Sequence, residues 1–230
     1  FDKIRDREAA LAGTRQHTAR FMSKFLNNRL AVVGFVIFAV ICLMSLFAPL
    51  IAQHDPMSPN LRVIAKPPSA EHWFGTDKTG RDVFARVLYG GRVSILVGLG
   101  SALLSAIIGV IIGVYSGYVG GWLDWIAMRI SEIFMSFPQI ILVLLLVAIL
   151  GQSLLNLIVI FTLTGWGGIY RMARARMLSI REEEYVQALR SFGLGPARIA
   201  YKHMLPNALG PIMVNITLST AAFILQEAGL

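Results

Sequence analysis

Three ionisable residues, Asp124, Arg129 and Glu132, enter an otherwise apolar stretch of this chain. Arg129 and Glu132 stand three positions apart, the spacing at which helical side chains pair. Ionisable groups in such surroundings face a bundle interior or a watery cavity, so the triplet is read as a charge lock between helices, with a polar step on a path as the alternative. A second polar set, Asn207, Pro211, Asn215 and Ser219, recurs every four residues. If helical, it places Asn215 and Ser219 on one face that must meet another helix or line a pathway, because polar groups in lipid need partners or water. Gln139, Asn215 and Ser219 are the candidates for a translocation path. Hydrolytic chemistry is not assembled: His17, His54, His72 and His203 lie outside the apolar runs or at their edges, and no HExxH occurs. An intramembrane hydrolase needs a nucleophile with a base, paired acids or metal ligands at the depth of the spans. Lys78-Thr79 follows Asp77 rather than glycine, so there is no phosphate loop. No catalytic residue, metal ligand or bound cofactor is assigned. The single cysteine, Cys42, supports neither a disulfide framework nor a cysteine metal site.

The elements that must position these residues follow from hydropathy. Hydrophobic residues make up 56% of the chain and charged ones 15%, yet 21 Lys and Arg face 13 Asp and Glu. Four charge-free runs, Leu30 to Gln53, Val93 to Leu123, Ile133 to Tyr170 and Met204 to Gln226, each reach the roughly 20 residues a helix needs to cross a hydrocarbon core. The third suits two crossings with Gly151-Gln152-Ser153 as the reversal, which makes five spans, the third beginning at Trp122 and bent by Pro138. Residues 1 to 29 carry Lys3, Arg5, Arg7, Arg15, Arg20, Lys24 and Arg29, and residues 171 to 203 carry Arg171, Arg174, Arg176, Arg181, Arg190, Arg198 and Lys202. Four crossings separate these clusters, so they share a side, and the positive-inside rule makes it the cytoplasm. Of the second cluster, Arg174, Arg176 and Arg181 read as cytoplasmic anchors near anionic lipid.

The resulting organisation is a cytoplasmic tail over 1-29, a first span over 30-53, an extracytoplasmic loop over 54-92 and a membrane core over 93-230 that holds a cytoplasmic segment at 171-206. In the tail, Phe21, Met22, Phe25 and Leu26 recur at the spacing of an in-plane interfacial helix. Phe1 stands where an initiator Met would, and no cleavable signal peptide precedes the first span, so the chain is expected to be trimmed. In the loop, Asp77, Arg81 and Asp82 read as a solvated structural turn, with internal pairing or contact with a partner open to its charges. Within the second span, Ser101, Ser105, Gly109, Gly113 and Gly117 fall four apart and present small side chains along one face, the mark of close helix packing in membranes. No strand precedes these glycines, so they are not a dinucleotide fingerprint.

Between the last two spans lies a basic, amphipathic stretch. Tyr185, Val186, Leu189 and Phe192 form one apolar stripe, with Glu184, Gln187 and Arg190 facing elsewhere, which predicts a short helix over Glu183 to Phe192. Gly193-Leu194-Gly195 breaks it, and Pro196 opens a second helix running through Arg198 toward Leu205-Pro206. A helix laid in a partner's groove is the natural docking mode for such a surface.

A small-residue step, three residues, Gly193, nine residues and a closing X-X-Leu-Pro together resemble the cytoplasmic signature loop of ABC-importer permeases. Glu184-Tyr185-Val186, His203, Leu205-Pro206-Asn207 and the segment FGTDKTGRDVFARVLYGGRVS at residues 74 to 94 are similar to the dipeptide/oligopeptide/nickel branch, C-type subunit, from about Leu26 onward. The resemblance implies an all-α polytopic transmembrane bundle of the type I ABC-importer permease fold, with five spans visible and a sixth expected beyond Leu230. It implies a multi-pass subunit of a bacterial or archaeal cell membrane that pairs with a second, homologous permease, two cytosolic ATPases and an external substrate-binding protein, with lipid around it and no nucleic acid. ATP and Mg would be used by the ATPase subunits alone. The contact residues it implies are Glu184, Tyr185, Gln187, Ala188, Leu189, Ser191, Phe192, Gly193, Leu194, Arg198 and Pro206. Where the signature usually has Glu-Ala-Ala, this chain has Gln187-Ala188-Leu189, so an acidic contact at Gln187 does not carry over. The substrate expected is a di- or oligopeptide, with nickel chelates and glutathione as alternatives within the branch. An ATP-independent channel and a DNA-binding helix-turn-helix over 183-205 are the readings from other classes; the latter leans on the net charge of +8, which membrane topology already explains.

Overall fold

The computed structural model describes residues 26–230, and the chain divides into two compact units, Phe1–Arg92 and Val93–Leu230. The expected interfacial helix of the tail lies outside the described residues, apart from Leu26. Among the described residues the structure is helical, with one isolated bridge, Thr76 to Asp82, and no strand.

In the first unit, helix α1 (Arg29–Leu46) begins where the Asn28 side chain accepts the Ala31 N–H at 3.2 Å. It ends at Phe47, and a short helix α2 (Ala48–Ile51) follows with Pro49 in its first turn. The first apolar run is therefore two helical pieces rather than one. The loop beyond carries a single 3₁₀ turn, Leu61–Val63, before helix α3 (Val83–Val119) begins. Asp77 organises the loop tip: its carboxylate accepts the Thr79 N–H at 2.8 Å, the Thr79 hydroxyl at 2.7 Å, the Arg81 N–H at 3.0 Å and the Arg81 Nε at 2.9 Å, and it pairs with Arg86. α3 starts ten residues before the apolar run at Val93. The Asp82 carboxylate accepts the Ala85 N–H at 2.7 Å and starts the helix there, while Phe84 and Leu88 pack on Ala48. Absence of charge marks the lipid-crossing part of a helix and says nothing about where the helix itself begins.

In the second unit, α3 continues to Val119 and reverses through Gly120 and Gly121, both at positive φ of 71° and 76°. Helix α4 (Gly121–Met135) and helix α5 (Gln139–Leu150) meet at a bend of 85° across Ser136-Phe137-Pro138. The break is sharper than a proline kink because three residues leave the helix there. The chain reverses again at Gly151 (φ 81°) and Ser153, whose hydroxyl accepts the Asn156 N–H at 3.1 Å and opens helix α6 (Leu154–Ile180).

Helices α3 and α6 run parallel in fixed register. Ser101 Oγ donates to the Ile158 carbonyl and Ser105 Oγ to the Thr162 carbonyl, both across 57 residues. Further along the same stripe, Gly109 sits against Trp166 and Tyr170, Gly113 against Tyr170 and Ala173, and Gly117 against Arg174 and Met177. A step of four on one helix meets a step of four on the other, and the small residues along the step let the two backbones approach closely. Because α3 and α6 point the same way, α4 and α5 together must return the chain once. They form one broken span, and with α1, α3, α6 and the segment Pro196–Ala228, all long and apolar enough to cross, the described residues hold up to five passages.

After α6 come helix α7 (Glu184–Ser191), a three-residue helix α8 (Pro196–Arg198), one π-helical turn (Ile199–Met204) and helix α9 (Leu205–Ala228). Two clusters form the main core of this unit. One joins Val97 and Ala102 of α3 to Val143, Val147, Ile160, Phe161 and Phe223, with Phe161 stacked on Phe223 at 5.4 Å. The other surrounds the segment that follows α6.

Candidate functional site

The segment between Arg181 and Pro206 presents two faces. Its inward face is anchored by Val186, Ile199, Ala200 and Met204, all buried among Val114 and Tyr118 of α3, Ala173 and Met177 of α6, and Ala208 and Ile212 of α9. Tyr185, Leu189 and Leu194 pack against the rim of this cluster. Three hydrogen bonds add direction to the apolar contact. Arg190 Nε donates to Tyr118 Oη at 3.1 Å with its guanidinium 4.9 Å from the ring centre, Tyr201 Oη donates to the Ile111 carbonyl at 2.6 Å, and Asn207 Nδ2 donates to Tyr185 Oη at 3.0 Å. A short helix of eight residues has little stability alone; here its inward side chains are held by packing on α3, α6 and α9.

The outward face is formed by Glu184, Gln187, Ala188, Ser191, Phe192, Gly193, Arg198 and Pro206, all exposed. Two residues of the segment differ from the sequence expectation. Phe192, placed by its spacing on the apolar inward stripe, is 80% exposed. The helix ends at Ser191, so Phe192 is the residue that caps it and leaves the helical face. Arg190, expected to face away, reaches back to Tyr118. The turn itself is a Schellman-type stop. Gly193 at φ +72° sends its N–H to the Arg190 carbonyl at 2.9 Å, and the Leu194 N–H reaches the Leu189 carbonyl at 3.3 Å. Nothing lies within 4 Å of where a Cβ would stand at Gly193. Glycine is needed there for its backbone conformation and not for close contact within this chain.

The charged triplet of the third span is two separate pairs. Asp124 is held by Arg174, with Nε at 2.5 Å from Oδ1 and Nη2 at 2.6 Å from Oδ2, while Tyr170 Oη stands 3.3 Å from Oδ1. This bidentate pair joins α4 to α6. Arg174 is thereby a partner of Asp124 rather than a lipid anchor. Arg129 and Glu132 pair with each other at 2.8 Å on an exposed face, with Arg129 over the Trp125 ring at 5.8 Å. The spacing within α4 could not show that the partner of Asp124 lies fifty residues away.

Gln139 opens α5, and Asn215 and Ser219 stand half-buried on α9. No hydrogen bond joins these three among the described residues. Sequence reasoning also missed a polar link at the end of α9, where Ser94 Oγ donates to Glu227 at 2.5 Å. It missed a cluster of His54, His72 and Asp82 in the loop as well. Neither carries a local spacing signal, since their members come together only through tertiary contact.

Comparison with known proteins adds to this geometry. Residues 109–230 match the profile of the binding-protein-dependent transport system inner membrane component, and residues 18–68 match the N-terminal TM domain of oligopeptide transport permease C. The chain is 42% identical over 207 residues to the oligopeptide transport system permease protein OppC of Bacillus subtilis (strain 168), covering 90% of this chain and 68% of the relative. It is 39% identical over 227 residues to the dipeptide transport system permease protein DppC of the same organism, covering 99% and 71%. It is also 39% identical over 217 residues to the probable D,D-dipeptide transport system permease protein DdpC of Escherichia coli (strain K12), covering 94% and 73%. Five apolar passages, a docked amphipathic segment after the fourth, and this likeness over nearly the whole chain place it in one family: the chain belongs to the inner-membrane components of binding-protein-dependent transport systems, as a multi-pass ABC permease subunit.

Proposed function

We propose that this subunit carries di- or oligopeptides across the membrane by alternating access, driven by ATP that separate ATPase subunits bind and hydrolyse with Mg. A second, homologous permease completes the pathway, and an external binding protein delivers the peptide. The observation that carries the reading is the two-faced segment 181 to 206, exposed at Phe192 on one side and locked into three long helices on the other. Nucleotide drives such a cycle only by binding one conformation more tightly than the other, and this segment is the link through which that difference reaches the spans. On this reading Glu184, Gln187, Ala188, Ser191, Phe192, Gly193, Arg198 and Pro206 meet the ATPase. Tyr185, Leu189 and Leu194 hold the segment to the bundle, and the surface lies on the cytoplasmic side together with the N-terminus. Gln139, Asn215 and Ser219 are proposed to border the path, and the peptide class follows the names of the relatives.

The single cysteine makes the test direct. In a Cys42→Ala background, Phe192→Cys and Ala188→Cys should crosslink to an ATPase subunit in the reconstituted assembly, whereas Thr217→Cys on the exposed flank of α9 should not. No crosslink from either α7 position, in an assembly that hydrolyses ATP, overturns the reading. Stimulation of ATP hydrolysis by binding protein loaded with dipeptide, longer peptide, glutathione or nickel chelate then identifies the cargo.

A further inference from the structure

We propose that the loop between the first two passages holds a divalent transition-metal ion, of the class that imidazole nitrogen prefers, between His54 and His72. The proposal is independent of the transport reading, because every residue in it belongs to the first unit.

His72 and Asp82 are buried, at 7% and 5% exposure, and His54 is half-buried beside them. His72 Nδ1 stands 2.8 Å from Asp82 Oδ2. An ionised carboxylate can only accept, so Nδ1 carries the proton and the lone pair of the neutral ring sits on Nε2. His54 Nε2 stands 3.1 Å from the Glu71 carbonyl. A carbonyl also only accepts, so the free lone pair of His54 is on Nδ1. The two rings lie 4.7 Å apart, and one ligand-capable atom from each of His54, His72 and Asp82 falls within 4.8 Å of the others.

This is the arrangement that metal-binding histidines show: each ring has one nitrogen held by an oxygen acceptor and the other presented to the ion. Asp82 is the orienting partner here, since its second oxygen is already occupied by the Ala85 N–H. An ion there would stand about 2.0–2.1 Å from each imidazole nitrogen. The remaining positions are filled by water, for which the adjoining cavity of about 270 Å³ has room, and the Asp55 and Glu71 side chains border the same space. Two neutral imidazoles select zinc, copper or nickel over calcium and magnesium, which take oxygen ligands. The ion would clip His54, just beyond α2, to the segment that starts α3.

The test uses the whole transporter complex, stripped with chelator and titrated with Zn²⁺ against a competing zinc dye, with Co²⁺ as a visible-absorption probe. Wild type should take up one Zn²⁺ sensitive to this loop, unaffected by millimolar Mg²⁺, and give a Co²⁺ ligand-field band. His54→Gln should weaken Zn²⁺ binding at least tenfold and remove that band. Because His72 is buried and its variant is at risk of misfolding, the decision rests on the half-buried His54. His72→Gln is scored only where its metal-free melting matches wild type, and it should then lose the site as well. Absence of loop-sensitive uptake in wild type, or His54→Gln binding Zn²⁺ as wild type does, overturns the proposal.

Discussion

Substituting Gly113 by alanine tests the parallel seam between α3 and α6 most directly. A Cβ there would stand 2.6 Å from the Tyr170 carbonyl oxygen, 2.9 Å from Ala173 Cβ and 3.2 Å from the Arg174 nitrogen. Carbon atoms rest comfortably at about 3.5–4.0 Å, so the helices must part by roughly 0.5–1 Å. Two of these neighbours are backbone atoms, which cannot rotate away. Parting also opens the contacts at Gly109 and Gly117, where a Cβ would lie 2.8 Å from backbone oxygens of Trp166 and Arg174. Over-packing of this kind costs about 1–3 kcal/mol, and the better helix propensity of alanine returns about 1 kcal/mol. The net expectation is a loss of about 0–2 kcal/mol. Gly168, in α6, has nothing within 4 Å of its Cβ position, so Gly168→Ala should be neutral or stabilising by up to about 1 kcal/mol. Since both gain the same propensity, the two variants differ by the over-packing cost of about 1–3 kcal/mol, roughly 2–12 °C in thermal midpoint for a chain of this size. Thermal unfolding of the purified complex in nanodiscs, followed by tryptophan fluorescence, reads the difference. Gly109→Ala combined with Gly113→Ala should cost less than the sum of the singles, because helices parted for one methyl have room for the other. Gly113→Ala melting at or above Gly168→Ala would refute the close approach.

Four other outcomes follow from the same geometry. Asp124→Asn, which leaves Arg174 partly buried without its counter-ion, should lower the melting temperature more than Glu132→Gln, whose exposed pair is worth at most about 0.5 kcal/mol; equal shifts would mean that the Asp124–Arg174 pair contributes nothing. Gly193→Ala should impair ATP-driven uptake by straining a left-handed turn by about 1–2 kcal/mol, whereas Gly195→Ala, at φ −65° with open space around it, should behave as wild type. Phe192→Ser should leave the melting temperature unchanged, because the ring is exposed, while reducing the ATPase subunits copurified with the complex. The loop should also respond to acid. The Thr79 hydroxyl, with the Arg81 and Thr79 N–H groups and the Arg81 side chain, holds the Asp77 carboxyl well below the usual carboxylate range. A depressed folded-state value means that Asp77 stabilises the loop fully above about pH 4, its unfolded value, and that this contribution falls away as the pH drops below it. Limited proteolysis of residues 54–82 should therefore accelerate below pH 4 in wild type, and a flat profile would count against this role for Asp77.

The parts of this protein readable before folding are those whose cause lies within a turn or two of chain. Four charge-free runs located the passages because a bilayer demands length and apolarity of each segment separately. The pattern of Val186 and Leu189 located α7 for the same reason, and Gly193 and Pro196 punctuated it through their own backbone preferences. The failures were equally local. Phe192 fits the i, i+7 spacing, yet the helix stops one residue short of it. The apolar run starting at Val93 hides ten helical residues whose start depends on a cap at Asp82.

What the amino-acid order alone determined was a helical membrane protein, the placement of its apolar passages and the position of the amphipathic segment before the last of them, all consequences of how each stretch suits lipid, water or a turn. Tertiary structure decided which groups face one another: Arg174 rather than Arg129 for Asp124, Tyr118 for Arg190, and His72 beside His54. Those choices depend on the 57-residue register of α3 on α6 and on the chain folding back over 18 to 72 residues, separations at which spacing along the chain carries no information about distance in space.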